Sequence, residues 1–290
     1  TQEAIEYFVG QAEEYWLIPA VFTTDLASHY QQQWLDFIAP KAKDGKGPSL
    51  EEQGEWLAQH HAFKAELHKI GDQKFKAGNE EEARRVFDDL QLAEFRIADI
   101  ETKESASRPS PPFITSTLQQ AAANRLGFSA KRTMSIAQQL YEGIDLGSMG
   151  SLGLITYMRT DSTHLSSEAI GEVRSFVRGR FGDAYLPEGP NFYASKKSAQ
   201  QAHEAIRPTD VDLTPDQIKE FLNSEQYRLY DLIWRRFVAC QMQAARWNVT
   251  TINITAPTSA GPAVYKASGR TLVFDGFTRV WPTNSSEQQL

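Results

Sequence analysis

The residues with the most chemical potential stand in one short stretch, Leu154-Ile155-Thr156-Tyr157-Met158-Arg159-Thr160-Asp161-Ser162-Thr163. β-Branched and aromatic residues follow Gly153, so the first half predicts a strand, while the second half is polar and turn-prone. Side chains of an extended chain alternate between faces, which puts Tyr157, Arg159 and Asp161 on one side. A phenol, a permanent cation and a carboxylate then stand in one row. Tyrosine ionises near pH 10, so only about one phenol in a thousand is a phenolate at neutral pH. A tyrosine nucleophile therefore needs help. A guanidinium two residues away can supply it, favouring phenolate and bracing a phosphate oxygen. A Tyr-x-Arg pair alone is a short pattern, served equally well by a half-buried strand tyrosine and a surface arginine.

The elements around this row must hold it. Tyr15 to Phe22 predicts a strand, with Pro19 marking a sheet edge. Residues 50–70 predict a helix with Trp56, Leu57, Phe63 and Leu67 as its apolar positions, and Glu80 to Leu92 a second. Lys41 to Pro48 reads as a loop, and Phe95 to Ile100 alternates like a strand. His61 and His68 would share a helical face, but no cysteine or paired carboxylate completes a metal site with them.

Ser105 to Pro112 is proline-rich and reads as a domain crossing. A capping box, Ser116-x-x-Gln119, predicts a helix that stops at Gly127; Ser129 caps the next, which ends at Gly143. Two helices across a glycine turn form a helix-turn-helix pattern, with Lys131 and Arg132 as phosphate contacts or plain solvated cations. Past the tyrosine row, Ser166 or Ser167 caps a helix that ends at Gly182 and carries Arg174, Arg178 and Arg180 outside. A long irregular loop over 183–201 contains Lys196 and Lys197. Thr214-Pro215 predicts a helix start. Ser224 to Gln243 predicts a long helix burying Leu229, Leu232, Ile233, Phe237 and Cys240, with Arg235 and Arg236 bracing an interface. Strands are expected at 247–255, 264–267, 272–274 and 279–281. With strands on both sides of a helical middle, the expected class is α+β. A β-rich domain, residues 1–108 and 246–290, carries an inserted mainly helical domain, residues 109–245.

Charge follows the same division. Residues 1–104 hold 11 Lys and Arg against 21 Asp and Glu, while residues 105–247 hold 16 against 14. The mildly basic middle can touch phosphates but is no electrostatic clamp by itself. The single cysteine, Cys240, excludes an intrachain disulfide and fits a reducing compartment. No apolar run is long enough to span a bilayer, and no signal peptide is evident.

The full tyrosine string resembles the active-site motif of type IA DNA topoisomerases, the bacterial topoisomerase I family. Three further stretches resemble the same family in the same order. They are Arg108-Pro109 with Pro112-Phe113-Ile114-Thr115-Ser116-Thr117-Leu118-Gln119-Gln120-Ala121, then Ala202-His203-Glu204-Ala205-Ile206-Arg207-Pro208, then Leu232-Ile233-Trp234-Arg235-Arg236-Phe237. Together these cover about residues 94 to 282, whereas residues 28–75 match less well and read as a local insertion. The resemblance implies that the β-rich domain forms an arch and that the helical domain bears the nucleophile. It implies that Tyr157 cleaves single-stranded DNA by transesterification, with Arg159 stabilising the scissile phosphate. His203 would bind the DNA backbone beside the active site, Arg207 would play a supporting electrostatic role, Glu204 would orient a neighbour, and Thr156, Thr160 and Asp161 would position the backbone and the arginine.

The family also needs an acidic domain with an Asp-x-Asp-x-Glu cluster that holds Mg²⁺, with a glutamate and a lysine nearby. None of these occurs in this chain, so no metal ligand is assigned here. The expectation is that the chain folds but does not relax supercoiled DNA without that acidic domain and the DNA-groove domain that follows the arch. The expected location is cytoplasmic, with the nucleoid. Two other classes remain open. One is a non-catalytic helix-turn-helix DNA-binding module, which has no need of the Tyr157, Arg159, Asp161 row. The other is a tyrosine recombinase or type IB enzyme, which sets its arginines and histidine upstream of a helical tyrosine; here Tyr157 precedes His203.

Overall fold

In the computed structural model, the described residues are 14–25, 30–39, 47–194 and 203–282. Most of the loop expected at Lys41 to Pro48, and Lys196, Lys197 and Ala202, lie outside them. The chain divides into two compact units. One comprises Thr1–Ser105, Trp247–Leu272 and Asn284–Leu290; the other comprises Ala106–Arg246 with Val273–Thr283. Residues 273–283, expected in the sheet domain, thus belong to the helical unit.

The first unit is built on a sheet. Its strands are β1 (Pro19–Thr23), β2 (Ala62–Ile70), β3 (Gln73–Lys74), β4 (Arg96–Ser107), β7 (Ala245–Ala256) and β8 (Ala263–Phe274). Their order is β1-β2-β8-β7-β4, with the short β3 also on β2. β1 is an edge strand and Pro19 is its first residue, where a missing N–H is tolerated. Helices α1 (Tyr30–Ile38), α2 (Leu50–Gln59) and α3 (Glu80–Gln91) accompany the sheet. The helix expected over 50–70 is half helix and half strand. Ser49 caps α2 through a reciprocal bond with Glu52, and the chain then turns at His61, whose φ is +48°. From Ala62 it runs extended, with Ala65 and Leu67 buried and Glu66 and His68 exposed. That separates His61 from His68 and removes the shared helical face. The core gathers Ala65, Leu67, Leu90, Ile254 and Tyr265, with Phe22 packed against Phe63, Phe95 and Tyr265.

The second unit packs four helices, α4 (Thr115–Leu126), α5 (Ala130–Glu142), α6 (Ser167–Phe181) and α7 (Ser224–Cys240). Between α5 and α6 lies the small hairpin β5 (Ile144–Asp145) and β6 (Ser151–Leu152). α7 is central: it packs on α4, α5 and α6 and buries Leu229, Leu232, Ile233, Phe237 and Cys240. Gly127 ends α4 in the left-handed region and Ser129 caps α5, as the sequence predicts. Arg132 is not a free phosphate contact, because it pairs with Glu225 at the start of α7.

Three other expectations are corrected. Thr214 does not open a helix: its N–H and hydroxyl both bond to Gln217 Oε1 and close a single turn. The strands expected at 264–267 and 272–274 are one strand, β8. Residues 276–279 form a 3₁₀ turn rather than leading into a strand. Gly276 is required there, since its φ is +49° and a Cβ would come within 2.5 Å of the Gln243 carbonyl oxygen.

Candidate active site

The tyrosine stretch is not a strand of any sheet, and it bends at Met158. Only Ile155 forms an isolated bridge, with Pro208. The expected strand is replaced by bonds to three different segments. Leu154 N–H donates to the Leu140 carbonyl at 2.7 Å, at the end of α5. Thr209 N–H donates back to the Leu154 carbonyl at 3.0 Å. Gly153 makes the close approach possible, because a Cβ there would stand 2.6 Å from the Tyr141 carbonyl oxygen.

Thr156 then engages the His-Glu-Ala-Ile-Arg-Pro segment. Its N–H donates to the Arg207 carbonyl at 2.9 Å, its hydroxyl donates to the Ala205 carbonyl at 2.7 Å, and Arg207 N–H donates to that hydroxyl at 3.0 Å. Ile206 N–H in turn donates to the Phe113 carbonyl at 2.8 Å. Thr115, at the first position of α4, donates its hydroxyl to the carbonyls of Met158 and Thr160 at 2.8 and 3.0 Å. Three motif segments far apart in sequence are thus stitched into one framework.

Within it, exposure alternates over six residues. Tyr157, Arg159 and Asp161 are exposed, while Met158, Thr160 and Ser162 are buried. The period-two alternation holds here without a sheet, across a bend at Met158. Tyr157 is 46% exposed and packs edge-to-face on Tyr141, with ring centroids 5.4 Å apart. Among the described residues its hydroxyl has no hydrogen-bond partner, and neither Arg159 nor Asp161 is in an ion pair.

A cleft of about 550 Å³ collects Arg159, Thr160, Asp161 and His203 with Ile114, Thr115, Ser116 and Gln119. Tyr157 is not among its lining residues. α4 starts one residue before the expected Ser116 cap, so Ser116 lies in the first helical turn. Its N-cap is Ile114, whose apolar side chain accepts no bond. The N–H groups of Ser116 and Thr117 therefore have no acceptor among the described residues. A helix N-terminus with open N–H groups, beside an arginine and a histidine, favours an anion.

Arg207 is held inside the framework. Its guanidinium donates to Glu204 Oε2 at 3.0 Å and to the Pro208 carbonyl at 3.0 Å, with its side chain only 14% exposed. Glu204 Oε1 also accepts from Ser166 N–H at 2.9 Å, just before α6. Burial works to raise the Glu204 pKa, but the Ser166 N–H and the Arg207 cation outweigh it and hold the carboxyl below its ordinary value. Glu204 thus ties Arg207 to the start of α6.

Thr115, Ser116 and Gln119 were not singled out as site residues from the sequence. They lie within the string at 112–121, but no spacing rule links Thr115 to Met158. Among the described residues no group of three His, Cys, Asp or Glu is placed to hold a metal ion. No helix of the described residues is long and apolar enough to cross a membrane.

A family model described as DNA topoisomerase matches residues 3–290. The chain belongs to the bacterial type IA DNA topoisomerase family. It is 46% identical over 228 residues to DNA topoisomerase 1 of Rickettsia felis, covering 77% of this chain and 29% of that protein. It is 51% identical over 211 residues to DNA topoisomerase 1 of Pseudomonas aeruginosa, covering 73% of this chain and 23% of that protein. It is also similar to the structure of full-length topoisomerase I from Thermotoga maritima, with a TM-score of 0.62 and 36% identity over 78% of this chain and 35% of that one. The chain therefore spans only 23–35% of the length of these relatives.

Proposed function

We propose that this chain supplies the nucleophile and the phosphate-binding cleft of a type IA topoisomerase acting on single-stranded DNA. The observation that carries this reading is the exposed row Tyr157, Arg159, Asp161, braced from behind, whose arginine lines a cleft with His203 and the open N-terminus of α4. The scissile phosphate sits against Arg159, His203 and the Ser116 and Thr117 N–H groups. The Tyr157 phenol oxygen forms a bond to phosphorus and the bond to the 3′ oxygen breaks. The phenol proton leaves, and a proton reaches the 3′ oxygen to give a free hydroxyl and a 5′-phosphotyrosyl link. Return attack by that hydroxyl reseals the strand after another has passed, so bond energy is conserved and no ATP is consumed. Arg159 contributes through charge on the transferring phosphate. Thr156, Thr160 and Thr115 fix the backbone that presents the row.

Relaxation of negative supercoils belongs to the whole protein. Mg²⁺ is held there by an acidic domain, and a further groove domain guides the strand. The chain alone does not relax supercoiled DNA. The test is covalent trapping with a labelled single-stranded oligonucleotide, in the chain complemented with the acidic domain. An adduct that is present in the wild type and lost in Tyr157→Phe supports the reading. An adduct that persists in Tyr157→Phe, or an isolated chain that relaxes plasmid, overturns it.

A further inference from the structure

A second cleft of about 530 Å³ lies in the same unit, and Ile114 and Asp161 line both it and the first. α4 divides them. Its Ser116 and Gln119 face the first cleft, and its Gln120 and Asn124 face the second. The second also contains Arg125 and Arg236, two guanidiniums on one indole. Arg125 lies 4.1 Å from the Trp281 ring centroid and Arg236 4.2 Å, with Arg236 also 4.7 Å from Phe113.

Arg236 forms no hydrogen bond or ion pair among the described residues, and its Nε is buried without a partner. Asp161, the carboxylate on the cleft wall, pairs with neither arginine. A charge taken out of water normally needs a counter-charge. Here burial and the like charge of Arg125 push the Arg236 guanidinium down to about 10, the opposite of what a resident carboxylate would do. The ring contacts fix the planes of the guanidiniums. Arg125 Nη2 donates to the Pro282 carbonyl at 3.0 Å, so the edge of Arg236 and the remaining N–H groups of Arg125 are left for an oxyanion, and a planar fork suits phosphate oxygens.

We propose that this second cleft binds a neighbouring backbone phosphate of the same DNA single strand, through Arg236 and Arg125, with the Gln120 and Asn124 amides as further donors. This rests on the reading that the chain takes single-stranded DNA. It adds a grip on the strand beside the Arg159 cleft that does not involve the nucleophile.

The test is fluorescence anisotropy of the chain with a short labelled oligothymidylate over a series of salt concentrations, with melting temperatures measured alongside. Arg236→Gln should weaken binding several-fold and reduce the slope of log affinity against log salt by about 0.7, the increment for one phosphate on a single strand. Arg236→Lys should keep most of that slope. Gln120→Glu puts a carboxylate where the phosphate would sit, so it should weaken binding while holding or raising the melting temperature; misfolding would lower both. Unchanged affinity and slope in both Arg236→Gln and Gln120→Glu would overturn the proposal, as would a wild-type chain without salt-dependent affinity. Tyr157→Phe separates this from the nucleophile reading, because it should bind the oligonucleotide normally. A wild-type chain that binds through Arg236 but forms no adduct when complemented would sink the nucleophile and leave the cleft standing.

Discussion

Thr115 and Thr160 are held to each other by three hydrogen bonds. Thr115 N–H and hydroxyl both donate to the Thr160 carbonyl, at 2.9 and 3.0 Å, and Thr160 N–H donates to the Thr115 hydroxyl at 2.9 Å. One threonine at the start of α4 thereby sets the path of the chain on both sides of Arg159. Valine has the same shape but no hydroxyl. Thr115→Val leaves the Thr160 N–H and the Met158 carbonyl short of partners, which should cost about 1–3 kcal/mol in urea unfolding. Adduct formation should fall further than this loss of stability explains, because Arg159 loses its fixed position. Equal losses in the two measurements would make Thr115 a plain stability residue.

Much of this framework was legible in the sequence, and the reason is periodicity. Alternation put Tyr157, Arg159 and Asp161 on one face, and it holds although no sheet enforces it. Local cap chemistry likewise marked Gly127 and Ser129, and narrowed the cap of α6 to Ser166 or Ser167, of which Ser166 is the one used. Where two periods fit the same residues, local reading failed. Trp56, Leu57, Phe63 and Leu67 suit a helix, yet Ala65 and Leu67 alternate as a strand, and only pairing with β1 and β8 decides it. The bond from Thr115 to Met158 joins residues 43 apart. No spacing rule encodes such a link. The Arg207–Glu204–Ser166 contacts were not legible for a related reason, since they depend on where those segments meet.

Gly153→Ala tests how tightly the stretch is seated. An alanine Cβ would lie 2.6 Å from the Tyr141 carbonyl oxygen, which is backbone and cannot rotate away. Relief requires shifting the chain just before the Leu154 N–H bond to Leu140. The expected cost is about 1–3 kcal/mol, as for other overpacked sites, read from thermal or chemical unfolding. A variant as stable as the wild type would show that this approach is slack.

Acid should loosen the Glu204 brace. Its carboxyl pKa is lowered from 4.5 by the Ser166 N–H and the Arg207 cation, against burial. A depressed carboxyl contributes stability that is present above the unfolded pKa and is lost as pH falls through the folded one. The wild type should therefore lose melting temperature more steeply below about pH 4.5 than Glu204→Gln, which has no proton to take up there. Parallel pH curves for the two proteins would remove Glu204 from the acid response.

Tyr157→Phe should separate chemistry from folding. The ring is 46% exposed and stands edge-to-face on Tyr141, a ring contact that phenylalanine can keep. The hydroxyl has no partner among the described residues, and its removal strands no buried group. Unfolding free energy should change by no more than about 0.5 kcal/mol, the range for surface substitutions. Oligonucleotide binding should also be unchanged, because Arg159, His203 and the start of α4 stay in place. The covalent adduct, by contrast, should vanish entirely, since no other phenol stands in the exposed row. A phenylalanine variant that unfolds several degrees early would mean that the hydroxyl has a structural task, and loss of the adduct could then no longer be credited to a missing nucleophile.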